Sequence, residues 1–210
     1  RGGVPTDTVA YSHNGKRFLH TAPYANPRPW EARGWTFFEG CCASVVKDDE
    51  CLWDFAMSDG AGTLDGLRST LRAGRPPPLS PDAFEQALGV KMREGEVRFS
   101  APADAILVCE LYRSGFVEAF DAYRSLKRED NVLYYLGLGW GAQEALVLKV
   151  ALAYVAQHCF SPGTLAEDLD ADAVMMVVDL SRNDFGEEEE RALREALEPC
   201  GERVQLRFEY

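Results

Sequence analysis

Apolar residues along the chain recur at two alternating periods, about 3.6 and two, and each period implies a different element. From Trp35 to Lys47, Phe38, Cys42 and Val45/Val46 fall at helical spacing, which predicts a buried amphipathic helix with Gly40 as a close-packing point. Cys51 to Ala56 reads as a short apolar strand. Residues 58–81 form a Gly- and Pro-rich connector in which Thr63 to Leu71 carry a helical turn or two. Ser80 caps a helix that has Pro81 at its first position and runs to Leu88. Glu94-Gly95-Glu96 is a turn. Ala103 to Leu126 is a long amphipathic helix through Leu107, Val108, Leu111, Tyr112, Phe116 and Phe120, with a kink expected at Gly115.

Beyond residue 130 the pattern becomes a repeat. Leu133-x-x-Leu136-x-Leu138 has the phase of Met175-x-x-Val178-x-Leu180, and a helix follows each strand, over 143–158 and 187–198. Val204-x-Leu206-x-Phe208 supplies a third strand. On this register Leu180 leads Leu206 by 26 residues and trails Leu138 by 42, which implies an acidic insertion near 165–172. So few units cannot bury their faces alone. A cap from the preceding helices or a partner chain is expected.

The segment Leu180-Ser181-Arg182-Asn183-Asp184-Phe185-Gly186 resembles leucine-rich repeats of the ribonuclease-inhibitor type. The resemblance implies a framework of Leu136, Leu138, Val178, Leu180, Asn183 and Phe185, with Gly141 where the first unit should carry its Asn. It implies protein binding, because such units usually hold other proteins. The order of segments along the whole chain also resembles that of proteins from algae and other protists, and suggests a photosynthetic or other organellar assembly. Further upstream, Tyr24 and Arg33-Gly34-Trp35-Thr36-Phe37-Phe38-Glu39 are similar to the TIR-domain segment in which a Trp precedes a Glu by four residues. That resemblance would make Glu39, with Trp35 beside it, the carboxylate that cleaves NAD at its nicotinamide glycosidic bond, an anion stabilising a cationic transition state. The chain departs from TIR domains in placing about 34 Pro-rich residues where they place two strands and two helices. Trp35 and Glu39 read more simply as an anchoring aromatic and an ion-paired or solvated carboxylate.

Composition narrows the function. A net charge of −12 argues against binding the phosphate backbone of a nucleic acid. Residues 1–34 carry a net +3 and residues 160–210 a net −9, which reads as solvated surface of either sign. The chain opens on Arg1, as a processed or trimmed product does. No segment is long and apolar enough to span a bilayer, although peripheral attachment to a membrane complex stays open. Six cysteines without a C-x-x-C pair suggest reduced thiols in an intracellular compartment, and the three histidines are too scattered for a metal site. Gly60-Ala61-Gly62, the glycines from Gly137 to Gly141, Glu187 to Glu190 and the alternating Asp168, Asp170 and Asp172 each lack the partners a phosphate or calcium loop needs. No cofactor is expected.

The expected architecture is α/β. An extended Pro/Gly-rich lead (1–34) precedes a helix-rich part with short strands, a truncated TIR-like relic plus helices (35–130), and a short degenerate leucine-rich-repeat solenoid follows (131–210). The expected role is a non-enzymatic structural and interaction subunit of a larger protein assembly. Tyr11, Phe18, Tyr24, Trp30 and Trp35 would anchor it to other subunits. A NAD-cleaving enzyme and a free-standing leucine-rich recognition module are the alternatives.

Overall fold

The computed structural model describes residues 8–13, 16–21, 29, 32–47, 63, 75–124, 131–160 and 176–209, with backbone alone for 8–13, 16–21, 123 and 124. Over these the chain is a helix-rich α/β protein with a small three-stranded parallel sheet. Strands β1 (Thr8–His13) and β2 (Lys16–Thr21) pair antiparallel, where the sequence suggested an extended lead without regular elements. The prolines that argued against structure all lie outside this hairpin, so its backbone donors stay free to pair. The expected strand 51–56, most of the expected turn over 63–71 and the insertion near 165–172 lie outside the described residues.

Helix α1 (Gly34–Val46) matches its predicted extent. Gly40 is exposed with nothing near it, and the close approach falls at Gly34 instead, where an added Cβ would lie 2.3 Å from the Phe99 ring. Helix α2 (Pro81–Glu94) starts as predicted, with Ser80 Oγ accepting from the Ala83 amide at 3.2 Å. It continues past Leu88 to Gly95, which takes a left-handed φ of 78° and donates to the Lys91 and Met92 carbonyls. Helix α3 (Asp104–Arg124) runs through Gly115 as one element.

Strand β3 (Val132–Tyr134), helix α4 (Ala142–His158), strand β4 (Met176–Asp179), helix α5 (Glu187–Leu197) and strand β5 (Val204–Arg207) complete the chain. The sheet order is β3-β4-β5, parallel throughout. A 3-10 stretch, Glu198–Arg203, breaks at Gly201 before β5. The register corrects the sequence alignment of the repeat. Leu133 sits beside Val178, which sits beside Leu206. Leu138 is therefore equivalent to Asn183, not to Leu180, and Leu136 lies in a turn after the strand.

With this register the two units agree in detail. Tyr135 and Leu180 are buried and donate their amides across the sheet to Asp179 and Arg207. Gly137 and Arg182 both take a left-handed backbone, at φ 62° and 59°. Trp140 and Phe185 are buried. Gly141 and Gly186 both precede a helix and donate to the Glu at its third position, Glu144 and Glu189, each at 3.0 Å. Leu148 and Leu193 are fully buried one face further on.

The difference at Leu138 has a physical cause. Asn183 reaches back to the preceding unit, and the first unit has none behind it. The N-terminal helices stand there instead. Tyr135 Oη donates to the Val45 carbonyl at the end of α1 (3.1 Å), and Trp140 Nε1 donates to the Arg75 carbonyl (2.6 Å). Arg75, itself buried, donates to the Ser44 and Lys47 carbonyls and lies over the Tyr135 ring. The end of α1 and the segment before α2 are thus bonded to the first of these two units.

The core is continuous from Val45 through Phe84, Tyr112 and Phe116 to Leu133, Val178 and Leu193. Its thiols are part of it. Burial, aided by neighbouring Cys42, pushes Cys41 up to about 12 from an ordinary 9.0, and burial pushes Cys42 and Cys200 up to about 11. Burial also raises the Tyr112 phenol, which donates to the Leu79 carbonyl. In the unfolded chain these thiols ionise near 9, whereas the native state holds their protons longer. Stability is therefore fully present below about pH 9 and is lost as pH rises toward the native values. A urea midpoint measured at about pH 10 is expected to fall below that at neutral pH. An unchanged midpoint would mean that these thiols are solvated in the native state.

Candidate protein-docking groove

Helices α2 and α3 pack against each other through buried aromatic and aliphatic side chains. Phe84 and Tyr112 stack at 4.1 Å between ring centroids in the contact itself. Beside it runs an open groove of about 1000 Å³. On α2 its wall is Glu85, Leu88, Gly89 and Met92, spaced as one helical stripe. On α3 the floor is Ala105, Ile106, Cys109 and Val117. Ile106 is 68% exposed at this face. Glu110, Glu118 and Asp121 line the outer edge.

Arg113 fixes the geometry. Its Nη2 lies 2.8 Å from Asp82 Oδ1 and 3.6 Å from Glu85 Oε2, and its Nη1 donates to Tyr154 Oη on α4 at 3.2 Å. The bond to Asp82 and then that to Tyr154 raise its pKa, so the guanidinium stays charged and ties α2, α3 and α4 together. Burial, then Glu85, raises the Cys109 thiol, which keeps the floor uncharged. Among the described residues the groove is thus an apolar trough with an acidic border and one engaged cation.

The chain matches no protein-family model, no curated protein and no solved structure.

The residues nominated from sequence lie elsewhere. Trp35 is half-exposed at the start of α1, donating Nε1 to Asp104 Oδ2 at 3.1 Å and packing edge-on against Phe38 and Phe99. Glu39 is exposed one turn later, and its charge helps to raise the Cys42 thiol. Neither lines the groove. Tyr11 and Phe18 face each other in the register of the β1–β2 hairpin, while their side chains, and all of Tyr24 and Trp30, lie outside the described residues. Val178, Leu180, Asn183 and Phe185 are buried, as is Leu138. Leu136 is half-buried in its turn.

The groove residues were missed because α3 carries two apolar stripes. Val108, Tyr112, Phe116 and Phe120 form the strong one and face the core. Ile106, Cys109 and Val117 form a second, one position around the helix, and read in the sequence as a broad edge of the first. Among the described residues, no group of His, Cys, Asp and Glu could hold a metal ion, and no helix is long and apolar enough to cross a membrane.

An exposed carboxylate is a weak stabiliser of a glycosyl cation, since water already screens it. Purified chain incubated with NAD is expected to release nicotinamide no faster than its Glu39→Ala variant. A Glu39-dependent release would restore the enzymatic reading.

Proposed function

We propose that this chain is a non-enzymatic structural and interaction subunit of a larger protein assembly. The observation that carries this reading is the apolar surface left exposed on α3 and α4. Ile106, Leu107 and Leu111 stand out on α3, and Leu146 and Val150, one turn apart, on α4. Burying a large aliphatic side chain is worth about 1.5–3 kcal/mol, so several on two adjoining helices are a cost to a solitary protein and an asset at an interface.

The C-terminal unit is read as a short leucine-rich-repeat stack, and three features support that. Its strands are sequential and parallel. A helix returns the chain between each neighbouring pair. Asn183 sits at the turn after β4 with both ends of its amide bonded to backbone. The helical part packs against one end of the stack through Tyr135 and Trp140, and β3 and β5 are the two edge strands of the sheet. A stack of three strands packed in this way is better suited to being held in an assembly than to enclosing a ligand in a long concave face.

The test is the size of the chain in gel filtration of native extract from its source cells. Elution far above the mass of a 210-residue chain, together with other proteins that follow it through a second column, is expected. Elution at the mass of a single chain would overturn the proposal in favour of a free-standing module.

A further inference from the structure

We propose that the groove between α2 and α3 receives a basic amphipathic helix from a partner protein. The inference rests on the reading of the chain as an interaction subunit and names the partner's chemistry at this site. Length comes first. From Ala105 to Asp121 the lining follows α3 for about 24 Å, at about 1.5 Å per residue, which matches a helix of about sixteen residues. The floor is apolar and continuous across both helices, from Leu88 and Met92 to Cys109 and Val117. An extended peptide would bring a row of unpaired backbone groups onto that floor, where Ser114 and Cys109 are the only uncharged hydrogen-bonding side chains among the described lining residues. A helix brings none, because its backbone is bonded internally.

Charge then selects the sign. Among the described lining residues Arg113 is engaged by Glu85, and by Asp82 outside the lining, which leaves Glu110, Glu118 and Asp121 as the acidic excess. An incoming acidic helix would meet like charge at Glu110, Glu118 and Asp121. A helix with Lys or Arg flanking its apolar face would meet Glu110 and Glu118, which lie two turns apart on α3, as residues eight apart do. The apolar floor holds the helix, and the acidic border sets which helix and in what orientation.

The experiment uses the full chain and two synthetic peptides of about eighteen residues with the same leucine face, one filled out with Lys and Arg and the other with Glu. Binding is followed by fluorescence anisotropy. The basic peptide is expected to bind in a salt-sensitive way and the acidic one not at all. Ile106→Ser combined with Val117→Ser, and separately Glu110→Lys combined with Glu118→Lys, are each expected to weaken the basic peptide about tenfold or more. Leu146→Ser on α4, outside the groove, is expected to change nothing. Far-UV circular dichroism and thermal melting confirm that each variant is folded. Equal binding of both peptides overturns the proposal, as does binding that ignores the groove variants. Sedimentation showing a dimer that Ile106→Ser dissolves also overturns it, since the occupant is then a second copy. If the basic peptide fails while the native chain still elutes in a large assembly, the groove assignment falls and the subunit reading stands. Elution as a single chain removes the subunit reading itself.

Discussion

Asn183→Ala is expected to lower the folding free energy by about 3–4 kcal/mol, among the largest effects of any single side chain here. The amide is 9% exposed and fully used. Its Nδ2 donates to the Tyr135 carbonyl at 2.7 Å and to the Leu180 carbonyl at 2.9 Å. Its Oδ1 accepts from the Leu138 amide at 2.9 Å and from the Trp140 amide at 3.2 Å. Alanine leaves all of these backbone groups without that partner, in a place where water enters poorly. Each unsatisfied buried group costs about 1–3 kcal/mol, and partial relaxation of the two turns brings the sum down to the stated range. Asn183→Asp is the sharper control. A carboxylate still accepts from Leu138 and Trp140 but cannot donate, so it sets a negative oxygen against the Tyr135 and Leu180 carbonyls. It is expected to be no better than alanine at neutral pH. Urea unfolding followed by circular dichroism measures both, and a loss below about 1 kcal/mol for alanine would mean that the two turns are not joined through this residue.

That residue also shows how far the sequence could be read. The type of each repeat element was legible, because strands and helices differ in period and Glu187 to Glu190 mark a helix start. The register was not. Leu136 and Leu138 alternate as a strand would, yet Gly137 and Gly139 take left-handed backbones at φ 62° and 69° and turn the chain away after Tyr135. Leu138 takes the position of Asn183 in the first unit, which among the described residues has no βα unit before it in the sheet for an amide to reach back to. Sequence periodicity has no means of knowing which unit comes first. Helices α1 to α3 were legible from their periods and from the Ser80-Pro81 start. The groove was not, since it exists only where the Leu88/Met92 stripe of α2 meets the minor stripe of α3. Arg75 was missed for a related reason. A lone Arg before a proline run carries no signal, and its role as a cap on α1 depends on a contact with Trp140 more than sixty residues away.

Phe84→Ala is the second large effect expected, about 4 kcal/mol. Phe84 is fully buried. Its ring stacks on Phe37 at 5.6 Å and on Tyr112 at 4.1 Å and meets Phe38 edge-on at 6.3 Å. Truncation removes the transfer energy of the ring, opens a cavity among three aromatics, and forfeits pair terms of about 0.5–1.5 kcal/mol each. The exposed pairs of Arg113 with Asp82 and Glu85 offset little of this, because ion pairs in water are worth about 0–1 kcal/mol. Phe84→Leu keeps most of the volume and is expected to cost about 1.5 kcal/mol. How the loss is spread is the informative part. If the helical part and the repeat were separate folding units, the alanine variant would melt α1 to α3 alone and leave the sheet with its own later transition. The bonds from Tyr135 to Val45 and from Trp140 to Arg75 argue otherwise, since they join the first strand–helix unit to the helical part through buried polar groups. A single cooperative transition at lower denaturant, seen alike by Trp fluorescence and far-UV circular dichroism, is therefore expected. Two separated transitions would place a folding boundary near residue 130 and mean that the Tyr135 and Trp140 bonds do not couple the two parts.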